Sequence, residues 1–440
     1  MCRLWVLFLV ALPHAHAELT TLTLPHCLEA ALEHNRELIQ ARQAIRQVEG
    51  ERVVVHSRFL PHLDLTATYD AERTGQLGRT EDQLGSTLRF SQRLFEYGPD
   101  FADEVQMRED LRQAMYNYEG KVYEILSLVW ETFHLILLQE RQIAIRRQSR
   151  QGFQEDYERK AARYQRQLAT ESEVLEAQLN VLNEDLAINN LEREQFNNQM
   201  ELLRLIGQSI GAQARLEQAP VSFAIEQDQA VELAIRNSVQ ISLAAERLKE
   251  QQRVVREINW EYSPDIALGA GVEDGRRNAR LELDRQGQTW GMDLSSDYAL
   301  RQEQPPDLRG QARWSAQVEA RIPIFEGTSR LGREGREKAR LRQLQVNLSD
   351  LYAEVELNVR QAYQSMLEAE GRQRLQEERV KIFRRRLEIN QILKDKGQAD
   401  ESLLENVRQQ FFNEQDRLFQ DQATYIRRIA ALRRQMGYFE

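Results

Sequence analysis

Displaced by 230 residues, this chain lies on itself: residues 94 to 207 fall on residues 324 to 437 without a gap. Leu94-Phe95-Glu96 meets Ile324-Phe325-Glu326, and Leu111-Arg112-Gln113 meets Leu341-Arg342-Gln343. Ala169, Glu171 and Ser172 meet Ala399, Glu401 and Ser402, Asn183-Glu184 meets Asn413-Glu414, and Gly207 meets Gly437. Shared helical chemistry accounts for matched apolar positions. It does not account for a matched Phe-Glu before the helices and a matched Gly after them, so the unit is duplicated and the two copies share one architecture. The expected division is a first repeat over residues 18–212 and a second over 213–440, preceded by a leader over 1–17.

The leader reads as a secretion signal. Arg3 is its only charge, an apolar run from Leu4 to Leu12 follows, and Pro13 precedes Ala15-His16-Ala17, an Ala-x-Ala cleavage pattern. The run is half the roughly 20 apolar residues a spanning helix needs, and no later segment reads as long and apolar enough to cross as a helix. Cys2 leaves with the signal. Cys27, the one remaining cysteine, has no internal disulfide partner and no lipobox before it, and reads as a small buried residue on a helix. The formal net charge of −10 argues against nucleic acid as a partner, because arginine runs such as Arg384-Arg385-Arg386 sit among glutamates, as on solvated helix faces. Only 41% of residues are hydrophobic, yet their spacing is regular, which suits long helices with a narrow buried stripe.

Each repeat reads as short helix, strand, loop, strand, very long helix, turn, long helix. The opening helices run from Leu24 to Arg58 and from Ile225 to Trp260, and each is followed by a proline, Pro61 or Pro264, that forbids continuation. Beyond the prolines the apolar period changes from 3.6 to 2. Leu63, Leu65, Ala67 and Tyr69 alternate with polar residues, as do Leu88 and Phe90; Ile266, Leu268, Ala270 and Val272 do so in the second repeat, with Trp314, Ala316, Val318, Ala320 and Ile322 on its return. The segment from Gly275 to Gly310 also alternates around Gln286-Gly287 and reads as strand extensions or an extra hairpin above the main strands. The helices from Pro99 to about Leu168 and from Gly327 to about Lys396 carry no internal proline; roughly 70 residues at 1.5 Å each give a rod of about 105 Å. Val174, Val181, Ile188 and Leu202, like Leu404, Phe411, Leu418 and Leu432, recur at sevens, the spacing of coiled-coil seams.

Four strands cannot close a barrel, and an open sheet leaves unpaired edges that lipid does not tolerate. Closure therefore calls for several identical copies, each giving four strands to one wall. The outside would be the aliphatic set above, with Tyr69 and Trp314 in an interfacial aromatic band. The inside would carry Asp64, Thr66, Arg89, Gln317, Glu319 and Arg321. A secreted chain with such strands points to the bacterial outer membrane, with helices extending into the periplasm.

Several motifs in this order carry a resemblance: the Ala31-Leu32-Glu33-His34-Asn35 helix, the Phe59-Leu60-Pro61 junction, Ser91-Gln92-Arg93-Leu94-Phe95-Glu96 and Pro323-Ile324-Phe325-Glu326-Gly327 before the two long helices, and Gly397-Gln398-Ala399-Asp400-Glu401-Ser402-Leu403-Leu404-Glu405. Over essentially the whole mature sequence the chain resembles the TolC-like outer-membrane efflux proteins. The resemblance implies a mainly α protein with a small β part: duplicated coiled-coil hairpins forming a periplasmic tunnel, and four strands per subunit in a shared 12-stranded trimeric barrel. It also implies a homotrimer that completes a tripartite pump with a periplasmic adaptor and an inner-membrane transporter. Adaptor docking carries over to the tip turns, onto Gln167, Leu168, Ala169 and Thr170 and onto Gly397, Gln398 and Ala399. Two positions depart from the pattern: Gln167 stands where the second copy has Gly397 and the family usually has glycine, and Arg93 stands where the second copy has Pro323.

The scattered histidines His26, His34, His56, His62 and His134 lack metal-ligand spacing, and the chain shows no phosphate loop or nucleophile setting, so neither an enzyme nor a cofactor is expected. Passive conduction needs an end that closes. Asp395, Asp400 and Glu401, tripled by threefold symmetry, would ring such an aperture and favour cations; alternatively they face outward and only suit a helix start. A periplasmic coiled-coil adaptor without a pore is the competing reading, and a channel dedicated to protein secretion is a third.

Overall fold

The computed structural model describes residues 20–57, 59–74, 79–97, 102–208, 214–217, 221, 223–257, 265–274, 277–286, 289–301, 313–321, 327–396, 398 and 401–438. The signal-peptide reading over 1–17 lies outside them. In chain order the elements are β1 (Thr20–Leu22), α1 (Leu24–His34), α2 (Arg36–Ser57), β2 (His62–Thr74), β3 (Arg79–Tyr97), α3 (Ala102–Gln165) and α4 (Glu171–Leu205). The second set is β4 (Ala214–Leu216), α5 (Gln227–Asn237), α6 (Val239–Glu257), β5 (Asp265–Asp274), β6 (Arg277–Gln286), β7 (Thr289–Arg301), β8 (Arg313–Arg321), α7 (Ser329–Asp395) and α8 (Glu401–Met436). The expected order therefore recurs, with two differences.

Each opening helix is broken in two. The α1 helix ends at Asn35, whose backbone turns extended at φ −64°, ψ 126°. The Asn35 side chain then caps α2: its Oδ1 accepts from the backbone N–H groups of Glu37 at 2.9 Å and Leu38 at 3.1 Å. An asparagine at this place satisfies orphan donors that a continuous helix would not have, and so stabilises a new start. The second difference is in the sheet. It holds six antiparallel strands in the order β2-β3-β7-β6-β5-β8, so the four expected strands are joined by two more, drawn from the segment after Gly275. These lie between the two repeats' hairpins rather than above them.

The chain divides into two compact units, each built from both repeats. One comprises Met1–Gln40, Glu119–Ser238 and Glu354–Glu440; the other comprises Ala41–Tyr118 and Val239–Ala353. In the first, most of the apolar stripe is buried: Ile125, Val129, Ile136 and Ile143 on α3, Val181, Ile188 and Leu202 on α4, and Leu404, Phe411 and Leu432 on α8, while Val174 and Leu418 of the sevenfold series are half-buried. One core here gathers Trp130, Val359, Met366, Ile429 and Met436 with Ala230 and Ala234 of α5. Cys27 is fully buried on α1, and burial raises its thiol to about 11, leaving it inert at neutral pH. Contrary to the sequence expectation, α3 does hold a stretch long and apolar enough to cross a membrane by length and composition. That stretch is 72% buried against the rest of the chain, which makes it a core helix. The second unit holds the six-stranded sheet.

In both halves an asparagine closes the end of a long helix, at carbonyls two residues apart in the 230-residue alignment: Asn35 Nδ2 donates to the Leu205 carbonyl at 2.9 Å, and Asn237 Nδ2 donates to the Gly437 carbonyl at 2.9 Å. Gly207 and Gly437 follow α4 and α8 with φ of +71° and +55°, the left-handed stop that glycine adopts without strain. A Cβ on Gly207 would also sit 2.4 Å from the His34 carbonyl oxygen, so the asparagine approaches this helix end only because no side chain is there.

Candidate functional site

Within the sheet, pairing registers decide which residues share a face. β2 meets β3 with Asp64 opposite Arg89 and Thr66 opposite Thr87, while Leu63 faces Phe90 and Leu65 faces Leu88. β5 meets β8 with Gly269 opposite Gln317 and Ala267 opposite Glu319, while Leu268 faces Val318 and Val272 faces Trp314. Successive strand residues point to opposite faces. The structure therefore puts Asp64, Thr66 and Arg89 on one polar face of β2–β3, and Gln317, Glu319 and Arg321 on the polar face of β8. The other face is apolar and uncovered: Leu63, Leu65, Tyr69, Leu268, Val272, Leu281, Trp314 and Val318 are all exposed, Trp314 at 80%. An exposed apolar face of this kind marks an interaction surface.

Sequence reasoning missed the polar residues of the added strands. Arg89 Nε donates to Asp297 Oδ1 at 2.8 Å, and Arg93 holds Asp293 in a fork, Nε to Oδ1 at 3.0 Å and a terminal nitrogen to Oδ2 at 3.1 Å. Gly291 lies beside Arg93 and Asp284; a Cβ there would come within 2.9 Å of Asp284 Oδ1 and make that carboxylate shift. On β6, Arg280 reaches Glu282 at 3.6 Å along its own strand and Gln317 at 3.5 Å beyond Gly269. A signal was present: two arginines four apart, Arg89 and Arg93, match two aspartates four apart, Asp293 and Asp297, as an antiparallel pair requires.

The first tip turn joins α3 to α4. Gln167 takes φ +57°, the one non-glycine with a positive φ among the described residues. Around it the Leu168 N–H donates to the Arg163 carbonyl at 2.9 Å and the Gln167 N–H to the Tyr164 carbonyl at 2.8 Å. These bonds satisfy helix-end carbonyls as in a glycine-ended helix. The first turn closes with these bonds although Gln167 stands where the second copy has Gly397. Thr170 then caps α4 with a reciprocal pair: the Glu173 N–H donates to Thr170 Oγ1 and the Thr170 N–H to Glu173 Oε2. Leu168 is 64% exposed. In the second tip turn the Gln398 N–H donates to the Leu393 carbonyl at 2.8 Å, the same bond displaced by 230 residues. Gly397, Ala399 and Asp400 lie outside the described residues. Asp395 ends α7, exposed, accepting from Gln391 Nε2 at 3.3 Å. Glu401 is the first residue of α8.

Behind the tips the helices are tied by buried charge. Arg146 of α3 holds Glu184 of α4 at 3.0 Å and also pairs with Asp416 of α8. The residues displaced by 230 keep the arrangement in another chemistry: Gln376 Nε2 donates to Glu414 at 2.7 Å. Glu184 and Glu414 are both buried. Nearer the tip, burial above all, and then the neighbouring Asp156, push the Glu405 carboxyl above its ordinary range.

The sequence profile described as outer membrane efflux protein matches residues 27–208. No curated protein matches the chain significantly in sequence. Solved structures do. The CmeC outer membrane channel of Campylobacter jejuni superposes with a TM-score of 0.70 at 16% identity, covering 94% of this chain and 85% of that one. The outer membrane protein VceC of Vibrio cholerae gives 0.69 at 16% identity, covering 94% and 96%. The open state of the Neisseria gonorrhoeae MtrE outer membrane channel gives 0.65 at 13% identity, covering 94% and 88%. At such identities the likeness is one of fold. Residues 27–208 thus carry the outer membrane efflux protein profile, and the chain as a whole has the fold of the outer membrane channels it superposes on.

Proposed function

We propose that this chain is the outer-membrane channel of a tripartite export system, working as a homotrimer with a periplasmic adaptor and an inner-membrane transporter. Small molecules or proteins would pass through it passively from the pump to the exterior. The observation that carries this reading is the sheet. It has one charged face, one exposed apolar face, and outer strands β2 and β8 that pair on one side only among the described residues. Such a sheet in lipid must find partners for both edges, and copies of itself supply them. Asp64, Thr66, Arg89, Gln317, Glu319 and Arg321 would then line the lumen, and lipid would meet the aliphatic face.

The tip turns are the adaptor-docking surface in this reading, through Gln167, Leu168, Ala169 and Thr170 and through Gly397, Gln398 and Ala399. What supports it is the exposed Leu168 on a turn held at both ends by helix caps. Asp395, Asp400 and Glu401 would ring the closed aperture, each tripled by symmetry. Single-channel recordings test this: Asp395→Ala or Asp400→Ala should change conductance and cation block, and two unchanged variants remove the ring. A pore-free periplasmic adaptor gives no use to the exposed apolar sheet. Cell fractionation separates the readings: a channel sediments with outer membranes and needs detergent, whereas an adaptor of this second kind is recovered from the soluble periplasm.

A further inference from the structure

We propose that the added hairpin β6–β7 belongs to the pore wall itself, so that three copies of this chain close a barrel of eighteen strands. The inference rests on the trimeric channel reading above.

The repeat says where the hairpin has been inserted. A displacement of 230 residues lays β3 on the segment that holds β8, so β2–β3 and β5–β8 are the equivalent hairpins of the two copies. Side by side they would give the order β2-β3-β5-β8, with the contact inside one chain equivalent to the contact between chains. The observed order, β2-β3-β7-β6-β5-β8, opens only the contact inside the chain. The edges β2 and β8, which meet neighbouring copies, are those of the simpler arrangement.

The added strands have what a wall strand needs. β6 pairs along the whole of β5 from Ile266 opposite Arg285 to Asp274 opposite Arg277, and β7 pairs along β3 from Ser86 opposite Arg301 to Tyr97 opposite Trp290. They are 10 and 13 residues long, against the roughly 9–11 that a tilted strand uses to cross the hydrocarbon core. Their alternation is in phase with the rest: Leu281, Leu283, Met292 and Leu294 share the face of Leu268 and Val272, while Asp293 and Asp297 share that of Arg89. Adding two strands also keeps the number per chain even, so every strand keeps antiparallel neighbours after closure.

The first repeat is adapted to the insertion. Arg93 replaces the proline found at the same place in the second repeat, Pro323. A proline there could not donate to a ladder. Against β7, by contrast, β3 runs on to Tyr97 through a bulge between Arg93 and Phe95, and the Arg93 side chain grips Asp293. With β7 elsewhere, Arg89 and Arg93 would lose both ion pairs. Barrel diameter grows roughly linearly with strand number, so eighteen strands make a mouth about 1.5 times as wide as twelve and roughly twice its area. The outer mouth then imposes little selection by size.

The test uses the full-length protein in outer membranes, in a Cys27→Ala background. The pairs Phe90→Cys with Ser296→Cys and Ser91→Cys with Ser295→Cys sample both kinds of rung of the β3–β7 ladder. At least one should oxidise within a single chain to near completion, and image reconstruction of the purified wild-type particle should count eighteen strands. Absent cross-links together with a twelve-stranded wall, the segment 277–301 lying outside it, would overturn the proposal. A particle that is not a trimer overturns the channel reading instead, and does so even where the intrachain cross-link forms. If the cysteine variants fail to reach the membrane, the strand count on the wild type decides.

Discussion

The Asn35 side chain reaches across 170 residues of sequence to donate its amide N–H to the carbonyl of Leu205, 2.9 Å away, while its oxygen starts helix α2. Removing it loses both. An N-cap truncation costs about 1 kcal/mol, and leaving the Leu205 carbonyl unpaired and buried costs about 1–3 kcal/mol more. Asn35→Ala should lower the thermal midpoint of the purified protein by several degrees. Asn35→Asp, which keeps the capping oxygens and loses the donor, should fall between. A midpoint equal to that of the parent contradicts this role.

Gln167 holds a left-handed backbone at φ +57° that costs an L-residue roughly 1 kcal/mol relative to glycine. Gln167→Gly should therefore stabilise the first tip turn by up to about that amount, less the entropy glycine regains in the unfolded chain. Hydrogen exchange at the Leu168 amide, which is bonded to the Arg163 carbonyl, should slow. Faster exchange would mean that the glutamine side chain contributes to the turn more than its backbone costs.

Arg146 neutralises two carboxylates from two other helices, Glu184 and Asp416. Its removal leaves Glu184, which is 5% exposed, charged and without that partner. Breaking one side of a buried pair costs about 3 kcal/mol or more. Arg146→Ala should unfold at markedly lower denaturant concentration. Glu184→Gln, which keeps a polar group and leaves Arg146 with Asp416, should lose less. Equal losses would contradict this division of roles.

His134 is buried, edge-on to Trp130 and Phe133, and burial first, then the charges of Arg433 and Arg141, lower its pKa from 6.5 to about 4. The unfolded chain takes up a proton below about pH 6.5 and the folded one does not until about pH 4. Stability therefore falls as pH drops through that window, by up to about 3 kcal/mol for this group. Denaturation midpoints between pH 7 and pH 4.5 should show that slope, and His134→Leu should flatten it. An unchanged slope in the variant would place the sensitivity elsewhere.

How much of the fold was legible in the sequence depends on the range over which each interaction acts. Periodicities of 3.6 and 2 are local, so the long helices, their seams and the four strands flanking Pro61, Pro264 and the long loop could be read directly. The break at Asn35 was not read: the apolar period runs on through it, and although its capping bonds to Glu37 and Leu38 are local, the bond to Leu205 is supplied only by the folded chain. Likewise the hairpin β6–β7 alternates as plainly as its neighbours, but periodicity does not say which strand lies next to which. Its position is fixed by pairs such as Arg93 with Asp293, 200 residues apart. Gln167 departs in residue type, yet its turn closes at φ +57° with backbone bonds that satisfy the helix-end carbonyls.

In the proposed channel one chain supplies only an arc of the pore wall, and joined copies make the conduit. The native mass of the detergent-extracted protein, measured on the same preparation that is fused to planar lipid bilayers, tests this most directly. A threefold mass and stepwise ion conduction are expected. A stable monomer that leaves the bilayer sealed would contradict the channel.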